Sequence, residues 1–308
     1  MISEEQLIRW SGQGATSTAA DTNASIRRAL ESVTSPQLKR RVAAEQVEVY
    51  LQGSYRNDTN IRGDSDVDVV IQLNEPFEYN IEGLDVAAKA RFRMNYPGST
   101  MYTLGQFRAD VLAALQAYYG RSSVTDRNKA IRVEGASGRL PADVVACVEY
   151  RRYTRFDAFG TESYIPGISF YTQRERRQVI NYPRPHYQNG VAKNTATGGH
   201  FKPLVRVFKN ARNYLVDQGV ITEDLAPSYF VQCLLYNASN SAYSRSTLQD
   251  QLGEVVKELF LNIVGSYYHN FVCQNGQVLL FGTTPEQWSP GKANKFLSAM
   301  LQLWSKGT

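Results

Sequence analysis

Asp66-Val67-Asp68-Val69-Val70-Ile71-Gln72-Leu73 constrains this chain more than any other stretch. After the two acids the run is almost wholly apolar, as in a strand covered on both faces. Strand side chains alternate, so Asp66 and Asp68 share a face. Two like charges a few ångströms apart repel, and burying them is costly unless a cation sits between them. Folding alone gives no reason to put such a pair at the mouth of a buried strand. A shared ligand does. Oxygen-only ligation favours Mg²⁺ or Mn²⁺, hard cations that also bridge substrate phosphates.

Three further features attach to this pair. Gly53-Ser54 form a turn, with Ser54 twelve residues ahead of Asp66. Glycine lets backbone approach a ligand closely, the amides that follow suit a phosphate chain, and the Ser54 hydroxyl can add a hydrogen bond. Asp143 follows Pro141 and opens a second apolar strand, ADVVACVEYRRY, repeating the oddity of an acid at a strand mouth. In HFKPLVRVFKNARNYL, Lys202, Arg206, Lys209 and Asn213 fall on one helical face, with Phe201, Val205, Phe208 and Leu215 on the apolar side. That basic face can neutralise a triphosphate. A solvated helix face accounts for the same spacing when it is taken alone.

The formal net charge of +5 hides a concentration: from Arg121 to Arg212 there are 17 Lys and Arg against 7 Asp and Glu. Such a field steers an anionic ligand. Cys147, Cys233 and Cys273 lie in apolar surroundings without C-x-x-C spacing, as expected of buried thiols in a reducing, cytoplasmic setting. His186, His200 and His269 are scattered, which argues against a histidine-based metal site. The sequence offers no leader peptide and no apolar run near eighteen residues, so no membrane span is expected.

Periodicity predicts two helical pieces over 18–46, broken near Pro36, then a strand over 66–73 and a helix from Leu104 to Tyr119 with Phe107, Val111, Leu115 and Tyr118 on its stripe. The segment 75–100 reads as loop with little helix. A strand near Lys129–Val133 pairs with the strand from Ala142, and GISFYT from Gly167 pairs with RQVINYP from Arg177. Helices are expected over 200–215, 227–236, 248–268 and 290–304, with Ser289 capping the last. The expected domains are a catalytic core over 1–198, including an N-terminal helical segment, and a helical lobe over 199–308.

Together these residues resemble the polymerase-β-like nucleotidyltransferases, in the branch containing oligoadenylate synthases, cyclic GMP–AMP synthase and the bacterial CD-NTases of anti-phage signalling. The pattern is the Gly53-Ser54 turn, Asp66-Val67-Asp68 and the single Asp143 in LPADVV. GSYRNDTNIRGDSDVDVV, NYPRPHYQNG, FKPLVRVFKNAR, APSYFVQCLLYN and TTPEQWS extend the likeness along nearly the whole chain. The resemblance implies an α+β fold: a mixed sheet with flanking helices and a C-terminal helical lobe closing a nucleotide cleft. It implies that Asp66, Asp68 and Asp143 are catalytic and ligate two Mg²⁺, which Mn²⁺ can replace. Gln52, Gly53, Ser54, Lys202, Arg206 and Lys209 would contact the nucleotide, and Ser228 and Tyr229 would lie near the donor base and phosphates.

The implied reaction is in-line attack by a hydroxyl on an α-phosphorus, releasing pyrophosphate. Its product would be a cyclic oligonucleotide messenger, such as a cGAMP isomer made from ATP and GTP, read by an effector protein. A regulatory protein or ligand is a further expected partner. Control by double-stranded DNA is not expected, since no His/Cys zinc insertion is found. A linear oligonucleotide synthase, an RNA-end or small-acceptor nucleotidyltransferase, and an inactive nucleotide or RNA sensor remain the alternatives.

Overall fold

The computed structural model describes residues 2–14, 16–62, 66–98 and 101–306. In chain order the elements are α1 (Glu4–Ser11), α2 (Ser17–Ala29), α3 (Pro36–Ala43), β1 (Val47–Leu51), α4 (Gly53–Arg56), β2 (Val67–Asn80), α5 (Val86–Asn95) and α6 (Leu104–Tyr119). There follow β3 (Val124–Asp126), β4 (Ile131–Val133), β5 (Ala142–Phe156), β6 (Glu162–Tyr171), β7 (Gln178–Asn181) and α7 (Pro183–Ala196). The chain ends in α8 (Phe201–Asp217), α9 (Ser228–Tyr236), α10 (Leu248–Val264) and α11 (Pro290–Lys306). These elements form two compact units, one of residues 15–55 and 65–184, the other of 1–14, 56–64 and 185–308.

The first unit is built on a mixed sheet of order β1-β2-β5-β4-β3, with β6 on β5 and β7 on β6. β2 and β5 run parallel; the neighbouring pairs are antiparallel. Alternation sorts β2. Val67, Val69, Ile71 and Leu73 are fully buried in a core shared with Ile26 of α2 and Phe107, Val111 and Leu115 of α6. Full burial of each such side chain contributes about 1.5–3 kcal/mol. Val70 enters a smaller core on the opposite face with Val145, Cys147 and Phe170. Asp68 belongs to that second face.

The break near Pro36 is a helix start: Pro36 takes the first position of α3, and Ser35 accepts from the Leu38 amide. Tyr118 departs from its expected stripe and is 41% exposed, Ala114 being buried in α6 instead. The larger departure lies in 75–100. β2 continues to Asn80 beyond a register shift, pairing Glu78 with Tyr150, and α5 follows. A polar stretch with Pro76 hid the strand, and only Ala88 and Phe92 of α5 are buried, so no stripe marked the helix. Tertiary packing holds both: Phe92 meets Tyr79, Tyr96, Tyr153 and Phe156.

The second unit is helical. Its core gathers Leu7 of α1, the apolar face of α8 (Phe201, Val205, Phe208), Phe230 and Leu234 of α9, and Leu259 of α10 with Phe296 of α11. The Ser289 hydroxyl accepts from the Lys292 amide, as expected of a cap on α11. α7 escaped the periodicity because just two of its side-chain positions, His186 and Gly190, are buried. The two compact units part at 184/185, and residues 1–14 and 56–64 group with the helical one. No described helix is long and apolar enough to cross a membrane.

Candidate active site

The parallel register of β2 and β5 sets Asp68 opposite Asp143. Asp66 stands one residue ahead of β2, on the face of Asp68. The turn completes the corner. The Gln52 amide donates to the Asp68 carbonyl at 2.9 Å, ending β1 against the start of β2. Gly53 opens α4 with φ +64°, and any Cβ there would overlap Asp68 Oδ2. Only glycine meets both conditions. Ser54 follows in the same turn, so Gln52, Gly53, Ser54, Asp66, Asp68 and Asp143 gather within one unit. Gly63, Asp64 and Ser65 of the motif lie outside the described residues.

A residue absent from the sequence reading occupies the centre of this group. Arg132 of β4 is the register partner of Asp143. Its Nη1 lies 2.9 Å from Asp66 Oδ2, and its Nη2 donates to Asp66 Oδ1 at 3.0 Å. Nη1 also reaches Asp143 Oδ1 at 3.4 Å, and Nε stands 3.6 Å from Glu134. The Arg132 side chain is 11% exposed, against 46% for Asp66. Its hydrogen bonds to Asp66 hold the guanidinium above its ordinary pKa, and burial opposes them. A signal existed: Ile131-Arg132-Val133 places a charge inside a fully buried three-residue strand.

The donor set suits a divalent ion in kind: acidic oxygens, registered across two parallel strands, two of which already share one cation. As they stand, Asp66 and Asp143 are turned to Arg132 and Asp68 to Gly53. Among the described residues no three His, Cys, Asp or Glu side chains are grouped to hold one ion.

The basic face of α8 is present as spaced, within the helical unit. Lys202 Nζ pairs with Asp58 Oδ2 at 2.7 Å. Arg206 donates from Nε to the Ser11 carbonyl and from Nη1 to the Asp58 carbonyl. Lys209 is 3% exposed and donates to the Thr59 carbonyl at 3.0 Å. All three therefore grip the loop that leads from the Gly-Ser turn toward the acid pair. That use of their charge was invisible in the helix spacing.

Ser228 and Tyr229 open α9. The Tyr229 ring, 44% exposed, stacks on His186 at 5.2 Å and 20° and on Trp288 at 5.8 Å and 30°. His186 is held by Gln232, whose amide also bonds Gln274, while Gln274 returns a bond to the His186 carbonyl. Burial pushes the His186 pKa down to about 4, so its ring is neutral near pH 7. The sequence singles out Tyr229 but not the two rings that brace it, since 43 and 59 positions separate them from it.

A mixed sheet with an acid pair and a third acid on adjacent parallel strands, beside a Gly-Ser turn, defines a nucleotidyltransferase core. Residues 34–117 match the nucleotidyltransferase domain family, and 188–305 match the cGAS/DncV-like nucleotidyltransferase C-terminal helical domain. The chain is 46% identical over 308 residues to the cyclic UMP-AMP synthase of Rhodothermus marinus, covering 99% of this chain and 98% of that one. It is 33% identical over 261 residues to the cyclic dipurine nucleotide synthase of Elizabethkingia meningoseptica, 84% of each chain. A solved structure of Rhodothermus marinus CdnE c-UMP-AMP synthase with Apcpp and Upnpp superposes with a TM-score of 0.85 at 46% identity, covering 100% of this chain and 98% of that one. The protein belongs to the cGAS/DncV-like nucleotidyltransferase family, and it is an enzyme of nucleotidyl transfer.

Proposed function

We propose that the protein joins ATP and UTP into a cyclic UMP–AMP dinucleotide, an anti-phage second messenger read by an effector protein. Two transfers occur, each forming one phosphodiester and releasing one pyrophosphate. The observation that carries the reading is the registered Asp68–Asp143 pair, with Asp66 and Gly53-Ser54, in a chain 46% identical end to end to a cyclic UMP-AMP synthase. Uridine replaces the guanosine of a cGAMP isomer, because nothing in the sequence alone spoke to the second base. Relatives near 33% identity include a dipurine synthase, so base choice varies within the family.

Asp66, Asp68 and Asp143 would hold two Mg²⁺ or Mn²⁺, which when bound supply charge for the triphosphate and lower the pKa of the attacking hydroxyl. The Gly53 backbone lies against Asp68 and brings the turn's amides and Ser54 to the phosphate chain. Asp143 orients the acceptor hydroxyl and takes part in its deprotonation. Tyr229, set against His186 and Trp288 and 44% exposed, would offer a flat surface to a base. Lys202, Arg206 and Lys209 hold the 58–59 loop and, as proposed phosphate contacts, would have to exchange those bonds for nucleotide.

The test is incubation with all four ribonucleoside triphosphates and Mg²⁺, phosphatase treatment, and mass identification of what survives. A product with the mass of UMP plus AMP less two waters is expected. Only linear products would overturn cyclisation, and a cyclic product containing guanine would overturn the base assignment. Asp66→Asn should make neither.

A further inference from the structure

Arg132 has no task in the reaction as proposed, yet its placement is specific. β4 sets it opposite Asp143, and its two Nη atoms fork onto both oxygens of Asp66. A guanidinium cannot shed its charge, so burying it requires acids around it. Here three acids surround one cation: Asp66, Asp143 and Glu134. Two of them belong to the set that would ligate the ions.

A divalent ion ligated by Asp66 must take an oxygen that now accepts from Arg132. The same holds for Asp143 Oδ1. A neighbouring guanidinium also repels an arriving dication. Glu134, 3.6 Å from Nε, gives the guanidinium another acid to stay paired with when Asp66 turns away.

We propose that Arg132 is a positioning residue, the counter-charge that holds Asp66 and Asp143 and competes with divalent ions for Asp66. The proposal rests on the active-site reading above. It makes the ion site tunable: the arginine keeps the acids placed, at the expense of ion affinity. A purely structural salt bridge would leave that affinity unchanged.

The experiment is direct titration of the full chain with Mn²⁺, following the free ion by electron paramagnetic resonance. Arg132→Gln should bind Mn²⁺ about tenfold tighter than wild type. Arg132→Lys, which loses the fork but keeps the charge, should bind within about threefold of wild type. Unchanged or weaker binding in Arg132→Gln overturns the proposal. Asp68→Asn separates the two readings. If it binds Mn²⁺ as wild type does, the active-site reading falls and takes this one with it. If it loses the ion while Arg132→Gln gains nothing, only the role of Arg132 falls. Should Arg132→Gln not fold, the wild type decides through the Arg132 Nε–H resonance during a Mg²⁺ titration. A resonance that moves as the site fills supports displacement, and one unmoved at saturation overturns it.

Discussion

Gly53 and Asp68 are packed so closely that residue 53 has no room for a side chain: a Cβ would overlap the Asp68 carboxylate, and φ at 53 is +64°. The contact joins the Gly-Ser turn, proposed to bind phosphate, to the acid pair. Gly53→Ala should therefore fail twice. The left-handed backbone costs about 1–2 kcal/mol with a Cβ present, and the carboxylate must move. A misplaced ligand set is expected to reduce transfer by about 100-fold or more. Thermal denaturation and pyrophosphate release measure the two effects separately. Near-normal turnover would show that Asp68 need not stand where it does.

Tyr229 is braced by His186 and Trp288, so its ring is fixed before any base arrives. Tyr229→Phe keeps the stack and gives up the hydroxyl's bonds, a long one of 3.5 Å from Asn275 and one with Cys233, and should bind nucleotide as wild type does. Tyr229→Ala removes the surface. Stacking on an aromatic ring contributes about 1–3 kcal/mol per base, so KM for one nucleotide should rise by about tenfold or more, with kcat less affected. Equal kinetics for Ala and Phe would remove Tyr229 from the binding site.

Lys202 and Lys209 sit two turns apart on α8 and differ in burial. Lys202, its side chain 13% exposed, pairs with Asp58, whose side chain is 51% exposed, and with one partner in solvent Lys202→Met should cost about 1 kcal/mol or less. Lys209 is buried on the Thr59 carbonyl. Lys209→Met leaves that acceptor without this donor and should cost about 1–3 kcal/mol. Urea unfolding of both variants gives the comparison, and the reverse order would contradict the anchoring of the loop by Lys209.

His186 predicts an acid limb in stability. Burial depresses its pKa from 6.5 to about 4. Between those values the unfolded chain binds a proton that the folded chain refuses. Stability therefore falls as pH drops from 6.5 toward 4 and levels off below, by about 3 kcal/mol at most. Unfolding free energies at pH 7 and pH 5 should differ less in His186→Gln than in wild type. An unaltered difference would assign the limb to other groups.

The basic stripe of α8 and the strand from Asp66 could be read from sequence because their signals are local. A helix repeats every 3.6 residues and a strand every two, so the chain itself states which side chains share a face. The same logic failed for α5 and α7, where few positions are buried, and for the distal half of β2, where polar residues pair with a partner strand far along the chain. The grouping of residues 58–59 with α8 was hidden for a related reason: a contact between the two leaves no trace in the composition of either.

The chemistry on offer is written locally along the chain: an acid pair, a third acid at another strand mouth, a Gly-Ser turn and a basic helix face. How that chemistry is held depends on the packing of the strands. Arg132 and Asp66 are 66 positions apart, and their pairing exists only because β2, β5 and β4 lie side by side in register. Charges attract across space without regard to sequence distance, so the counter-ion of the site had to be found in the fold.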